Sequence, residues 1–295
     1  MRTGILLVGA AVFGSLVVLL GLSMGEKEAR AAGDDPVLLG AGDIASCESQ
    51  GDEATAKLLD DRRGRVITLG DNAYPDGTLQ QFEDCYAPSW GRHMDRTRPA
   101  VGNHEYETPG AAGYFGYFGA RAGNPAKGYY SYDRGSWHVV VLNSNCWEVS
   151  CAAGSAQESW LEADLAANPS SCILAYFHHP RFSSSGNNRS VTPFWRALYQ
   201  AGAEVVLSGH THNYERFAPQ RPDGTLAPER GIREFVVGTG GASHQPFGTI
   251  KPHSRIRNAD TYGVLKLTLH SESYEWKFIP QAGKTFTDSG RKACH

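Results

Sequence analysis

The sequence lacks several patterns that would place it in other classes of protein. Its 295 residues contain no internal repeat and no low-complexity tract, which argues against a repeat or fibrous architecture. No long run of like charge occurs and the net charge is −3, so we expect no nucleic-acid partner. No Cys-x-x-Cys pair is present, which argues against a zinc site built from thiolates.

Long apolar runs are also scarce, and the one exception lies at the N-terminus. Residues 5–22 carry no charge, follow Arg2 and precede the small-x-small sequence Ala29-Arg30-Ala31, a pattern that predicts a secretory signal peptide over residues 1–31. The run approaches the length of a membrane span, so an uncleaved anchor is the alternative, and the membrane is an expected partner only in that case. We therefore expect a secreted or extracytoplasmic protein.

The six cysteines are an even number, which in an exported chain indicates disulfides. Six cysteines can pair in fifteen ways. Cys146 and Cys151 bracket the short loop CWEVSC and are the favoured pair. The remaining four are then assigned as Cys47 with Cys85 and Cys172 with Cys294.

Apolar runs alternate with helical stretches along the rest of the chain, which favours an α/β layered fold. Four runs have the continuous apolar character of strands buried on both faces. They cover residues 36–42, 65–70, 172–177 and 205–208. Helices are predicted after a capping box at Ser155–Glu158 and after a cap at Thr192. The strands from residue 232 onward alternate polar and apolar positions and are predicted to be antiparallel.

Polar side chains recur where the predicted strands end, and α/β sheets bind ligands at the carboxyl ends of their strands. The five segments are GDIAS with Asp43, GDNAY with Asp71 and Tyr74, GNHE with Asn103 and His104, FHHP with His178 and His179, and GHTH with His210 and His212. Each alone is explained by a turn, a cap or a buried histidine. Five in succession, each with a side chain able to bind metal, indicate one shared metal site.

These five segments resemble the motifs of the calcineurin-like metallophosphoesterases, and the tyrosine of GDxxY resembles the purple acid phosphatase branch. The resemblance covers nearly all of residues 37–240. It implies an α/β fold, a four-layer αββα sandwich of two mixed β-sheets flanked by helices, with a dinuclear metal site at the strand ends. Asp43 follows the predicted cleavage site closely, so residues 32–295 resemble the catalytic domain of the small, single-domain members.

The resemblance also implies how the ligands divide between two metal ions. One ion would be held by Asp43, Asp71, Tyr74 and His212, and the other by Asp71, Asn103, His178 and His210, with Asp71 bridging both. Two carboxylates and a phenolate suit a hard ion such as Fe(III). The amide, the two imidazoles and the shared carboxylate suit a divalent ion such as Fe(II), Zn or Mn.

The activity implied is hydrolysis of small phosphate monoesters by a hydroxide formed between two cations about 3.5–4 Å apart. The predicted catalytic residues are Asp71, His104 and His179. His104, one residue after the predicted ligand Asn103, would contact the phosphoryl group or protonate the leaving oxygen. The loop RFSSSGNNRS departs from the family, because it lacks the further histidines that purple acid phosphatases commonly carry there. His179 would contact substrate or support its neighbours, unless its role is only structural.

Two alternatives to a phosphomonoesterase follow from the same residues. One is a phosphodiesterase with the same metal centre, and the other is an exported metal-binding protein without turnover. The glycine-rich segment 110–135 also has two interpretations. Its aromatic residues form either a flexible wall beside the metals or a packed edge of the core, and the second is favoured. The oligomeric state and the natural substrate are not determined by the sequence.

Overall fold

The computed structural model describes Met1, Gly4 and residues 35–170 and 172–295. The chain divides into two units, Met1–Gly33 and Asp34–His295, and the fold below is that of the second unit. Apart from Met1 and Gly4, the predicted signal peptide over residues 1–31 lies outside the described residues. Within the described residues, every helix is too short or too polar to cross a bilayer.

The described chain forms strands and helices in alternation. The strands are β1 (Val37–Ala41), β2 (Arg65–Leu69), β3 (Thr97–Ala100), β4 (Tyr130–Arg134), β5 (Trp137–Val141), β6 (Cys172–Tyr176), β7 (Val205–Ser208), β8 (Tyr214–Phe217), β9 (Arg233–Val237), β10 (Ser254–Asn258), β11 (Gly263–Leu269), β12 (Ser273–Pro280) and β13 (Ser289–Ala293). The α-helices are α1 (Gly51–Asp60), α2 (Leu79–Gln81), α3 (Asn103–Tyr106), α4 (Ala112–Phe118), α5 (Ala156–Ala167) and α6 (Thr192–Gln200). A π-helical turn covers Phe82–Tyr86, and short 3₁₀ segments cover Trp90–Arg96, Pro109–Ala111, Gly119–Ala122 and Arg189–Val191.

The strands form two mixed sheets. The first has the order β13-β12-β11-β1-β2-β3, with β1, β2 and β3 parallel and the other three antiparallel. The second has the order β10-β8-β9-β7-β6-β5-β4, with a parallel centre of β5, β6, β7 and β9. Helices flank the sheets, so the predicted sandwich of two mixed sheets with helices outside is confirmed.

Strand β6 shows why the central strands are apolar throughout. Leu174 and Tyr176 pack into the core that also contains residues of the first sheet. Ile173 and Ala175 point the opposite way and pack in a second cluster with residues of α5 and α6. Because successive strand residues face opposite sides, a strand covered on both sides needs apolar residues at every position.

Three disulfides join Cys47 to Cys85, Cys146 to Cys151 and Cys172 to Cys294, so the predicted pairing is confirmed. The helix caps are confirmed only in part. Ser155 accepts a hydrogen bond from the backbone N–H of Glu158, but the Glu158 carboxylate accepts from Gly154 instead of closing the box. Thr192 is inside the first turn of α6 rather than at its cap, and its hydroxyl donates to the carbonyl oxygen of Arg189.

Two further expectations are resolved by packing. Strand β9 pairs in parallel with β7 and antiparallel with β8, so the antiparallel prediction is right for only one edge of β9. The prediction is confirmed for β11 and β12. In segment 110–135, Tyr114 and Phe118 are buried and pack on Phe82 and Tyr86. The aromatic residues therefore complete the edge of the core, and the interpretation as a flexible wall is wrong.

Replacing Leu174 by alanine tests the doubly covered core. The side chain is fully buried, so Leu174→Ala should lower the free energy of unfolding by about 2–5 kcal/mol. Urea denaturation with the disulfides intact measures it. The control Leu226→Ala changes the same side chain at 40% exposure and should cost less than about 0.5 kcal/mol. Equal losses in the two variants would contradict the assigned core.

Candidate metal centre

The five sequence segments come together at the carboxyl ends of parallel strands. Strands β1, β2 and β3 of the first sheet lead into Asp43, Asp71 and Asn103. Strands β6 and β7 of the second sheet lead into His178 and His210. The two sheets therefore deliver their polar residues to one common edge, and the predicted ligands lie there in two overlapping groups.

The first group surrounds the hydroxyl of Tyr74. That oxygen lies 3.1 Å from Asp43 Oδ1, 3.1 Å from Asp71 Oδ2 and 3.1 Å from His212 Nε2. Asp43 Oδ1 is also 3.2 Å from His212 Nε2. A phenol has one proton and can donate it to one neighbour at a time. The group thus holds more lone pairs than hydrogens, as a cation site does.

The second group surrounds the side-chain oxygen of Asn103. It lies 3.0 Å from His178 Nε2 and 3.0 Å from His210 Nδ1. Asp71 Oδ2 is 3.1 Å from the same His178 Nε2, so Asp71 belongs to both groups.

The hydrogen bonds of His178 identify what this second group is built to hold. Its Nδ1 lies 2.8 Å from the carbonyl oxygen of Leu69, which can only accept, so Nδ1 carries the hydrogen. In the neutral ring, Nε2 then directs a lone pair at the oxygens of Asp71 and Asn103. Lone pairs facing one another require either an extra proton or a metal cation, and imidazole, amide and carboxylate are all metal ligands.

The pKa values of His178 and Tyr74 indicate the same need for positive charge. Burial alone would lower the pKa of His178, but the Asp71 carboxylate outweighs it and raises that pKa to about 9. Burial, Asp43 and Asp71 together raise the pKa of the Tyr74 phenol well above its ordinary value. A proton on His178 therefore supplies the positive charge that a metal ion would otherwise supply. The Tyr74 phenol, in turn, needs a bound cation beside it to ionise.

Three of the seven side chains project from strained backbone. Asp43 has φ 60°, Asp71 has φ 49° and His210 has φ 69°, all in the left-handed region. Such conformations cost about 1–3 kcal/mol each in a non-glycine residue and cluster at functional sites. Two hydrogen bonds help to hold them: the His210 N–H donates to Asp43 Oδ2 and the His104 N–H donates to Asp71 Oδ1, both at 2.9 Å.

Glu105, for which no role is predicted from the sequence, supports the turn that carries Asp71. Its fully buried carboxylate accepts from the backbone N–H groups of Asp71 at 3.1 Å, Asn72 at 2.6 Å and Gly102 at 2.7 Å. Burial and the nearby Asp71 raise the pKa of Glu105 to about 7. The signal was available in GNHE, where the glutamate lies three residues after the glycine that begins a helix.

The two predicted catalytic histidines border the centre. The His104 ring packs on Tyr74 at 4.3 Å, with Nε2 3.9 Å from Asp71 Oδ2 and Nδ1 2.5 Å from the Pro75 carbonyl oxygen. His179 is only 4% exposed and packs on His210 at 4.4 Å, with Nδ1 3.0 Å from Ser144 Oγ. A nitrogen of His179 also lies within 4.8 Å of nitrogens of His178 and His210. The eight predicted ligand and catalytic side chains other than Asp71 therefore lie at the same edge of the sheets as Asp71.

A family model described as calcineurin-like phosphoesterase matches residues 37–214, more than half of the chain. The chain belongs to the calcineurin-like phosphoesterase family. The predicted family, and its resemblance to the purple acid phosphatase branch, are confirmed. The family implies a dinuclear metal site, and the two groups around Tyr74 and Asn103 fit it by the chemistry of their donors.

The chain is also similar to plant proteins named as purple acid phosphatases. It is 26% identical over 203 residues to purple acid phosphatase 15 of Arabidopsis thaliana, covering 56% of this chain and 38% of that one. It is 26% identical over 256 residues to probable inactive purple acid phosphatase 27 of the same plant, covering 72% and 41%. The chain thus spans about two fifths of the length of these curated relatives.

A solved structure shows the same fold. The purple acid phosphatase PPD1 from seeds of yellow lupin, Lupinus luteus, superposes with a TM-score of 0.68 at 21% identity. The match covers 88% of this chain and 53% of the lupin chain.

Gly102 provides a test of the geometry around Asp71. A Cβ added to Gly102 would fall against the backbone nitrogen and the carboxylate of Asp71, whereas one added to Gly116 would meet open space. We expect Gly102→Ala to displace Asp71 and to lower the metal content of the purified protein below that of wild type. Gly116→Ala should leave it unchanged. Elemental analysis measures both, and equal metal content in the two variants would contradict the placement of Asp71.

Proposed function

We propose that the chain is an extracytoplasmic, metal-dependent hydrolase of phosphate monoesters. The observation that carries the proposal is the convergence of seven donor side chains in two groups that share Asp71, with lone pairs directed at one another. The three disulfides favour an oxidising compartment. Membership of the phosphoesterase family supplies the class of substrate.

The groups around Tyr74 and Asn103 correspond to the two sets of metal ligands predicted from the sequence. Asp43, Asp71, Tyr74 and His212 would hold one ion, suited to Fe(III), and Asp71, Asn103, His178 and His210 the other, suited to Fe(II), Zn or Mn. When bound, the ions would lower the pKa of water and neutralise phosphoryl oxygens. Asp71 would keep them together because its Oδ2 contacts both Tyr74 and His178.

His179 would orient the substrate through a neutral N–H group. Ser144 Oγ accepts from the backbone N–H of His179 at 2.9 Å and can donate its hydroxyl hydrogen to His179 Nδ1. The ring hydrogen then sits on Nε2. Burial, followed by the neighbouring His178 and His210, lowers the pKa of His179 to about 2. The ring therefore donates a hydrogen bond to a phosphoryl oxygen without acting as an acid.

His104 is the candidate for protonating the leaving oxygen. Its Nδ1 lies against the Pro75 carbonyl oxygen, which only accepts, so Nδ1 holds a hydrogen in either charge state. The second proton of the imidazolium would sit on Nε2, the atom nearer Asp71. His104 thus presents a transferable proton on the side of the metal centre.

Loss of turnover is the rival interpretation, since the name of purple acid phosphatase 27 calls it probable inactive. The complete donor set in this chain favours activity, because a centre under no selection for hydrolysis need not retain strained ligands such as Asp43 and His210. Purple acid phosphatase 15 carries no such qualifier in its name.

The proposed activity is tested with 4-nitrophenyl phosphate and bis(4-nitrophenyl) phosphate side by side. We expect the monoester to react faster, and Asp71→Asn to lower its kcat/KM by more than about a hundredfold, since even residues behind metal ligands cost 10–100-fold. Asp95→Asn, an exposed carboxylate change, is the matched control. Faster hydrolysis of the diester would favour a phosphodiesterase, and no hydrolysis of either ester would favour a metal-binding protein.

The metal assignment predicts a colour. Iron-loaded protein should be purple from charge transfer between the Tyr74 phenolate and Fe(III), and Tyr74→Phe should lose the visible band. Tyr199→Phe, which alters a tyrosine bonded to Arg221 outside the centre, should keep it. Absorption spectra of protein with measured iron content test whether Tyr74 binds the iron. Colourless wild type with iron bound would contradict a Tyr74 ligand.

A further inference from the structure

A cavity of about 630 Å³ opens beside the metal centre. Its inner wall is formed by Asn103, His179 and His210. Its outer wall is formed by Tyr106, Glu107, Trp147, Glu148 and residues 186–188. A phosphate ester bound at the inner wall would therefore extend its alcohol portion along the outer wall, which we call the leaving-group pocket.

The charge of the leaving-group pocket is unusual for an enzyme acting on phosphate esters. Among the residues that the structure describes, no lysine or arginine lines it, whereas Glu107 and Glu148 do. Both glutamates are exposed, and neither has an ion-pair partner within 4.0 Å in the described part of the chain. Outside the metal ions, the pocket would repel additional negative charge on a substrate and attract positive charge.

The indole of Trp147 adds a surface that also favours positively charged groups. Its side chain is 63% exposed, yet its loop is closed by the disulfide between Cys146 and Cys151. The indole meets the ring of His179 edge-on, with centroids 5.3 Å apart, so it lies one ring away from the metal ligands. An aromatic face next to carboxylates is the environment that binds quaternary ammonium groups.

We propose that the leaving-group pocket selects phosphate monoesters of alkylammonium alcohols, with phosphocholine as the representative substrate. The inference rests on the proposed function and names the substrate class of the same site. In the reaction the P–O bond to the alcohol breaks, water supplies the new oxygen on phosphorus, and its proton goes to the departing alcohol. The cationic group would lie over Trp147 between Glu107 and Glu148.

The test compares phosphocholine with 3,3-dimethylbutyl phosphate, the neutral ester of the same shape with carbon in place of nitrogen. We expect kcat/KM to be about tenfold higher for phosphocholine, from one cation–π contact and two exposed charge pairs. Because the nitrogen also makes choline a better leaving group, the decisive quantity is how this ratio changes in variants.

The double variant Glu107→Gln/Glu148→Gln should reduce the ratio severalfold, because it removes the two negative charges that would attract the cationic group. The control Glu162→Gln/Glu229→Gln removes two exposed carboxylates that do not line the pocket and should leave the ratio unchanged. Trp147→Ala should also lower the ratio.

An unchanged ratio in the Glu107→Gln/Glu148→Gln variant would overturn the proposal, and so would faster hydrolysis of benzyl phosphate than of phosphocholine, which would indicate a pocket for neutral aromatic groups. In both cases hydrolysis of dimethylbutyl phosphate would leave the phosphomonoesterase function standing. If the wild type hydrolyses none of the three monoesters, the proposed function itself fails.

Discussion

The structure depends on directing the lone pairs of Asp71 and its neighbours at one another inside the protein. Oxygen and nitrogen acceptors held about 3 Å apart repel unless positive charge lies between them. The fold holds them there by several means. Two sheets end at one edge, and three of the predicted ligands adopt left-handed backbone. The buried Glu105 fixes the turn before Tyr74 through the backbone N–H groups of Asp71 and Asn72.

The sequence predicts most of this arrangement because its strongest signals are local. Continuous apolar runs identify the doubly covered strands, and polar residues directly after them identify Asp43, Asp71 and His210. Partners that come from distant segments are less predictable. The direction of β9 depends on its pairing with β7, and the Thr192 hydroxyl binds Arg189 because the preceding 3₁₀ turn runs straight into α6. Trp147 could not be predicted from the sequence, because only the folded chain shows that its indole is exposed beside the site.

Family membership and activity are separate questions here. The fold and the family are shared with purple acid phosphatases, while the relatives include proteins named probable inactive and are more than twice as long as the part matched. The proposed turnover would require the full set of predicted ligands together with hydrogen-bond donors to the substrate, for which His179 is the candidate. The proposed choice among substrates would depend on the wall formed by Glu107, Trp147 and Glu148.

The central claim is that one carboxylate joins two cations. Anomalous diffraction from crystals of the protein loaded with iron and zinc tests it most directly, because it locates each metal independently of activity. The account predicts two peaks, one beside Tyr74 and one beside Asn103, each within bonding distance of an Asp71 oxygen. A single peak, or two peaks of which either lies out of reach of Asp71, would contradict it.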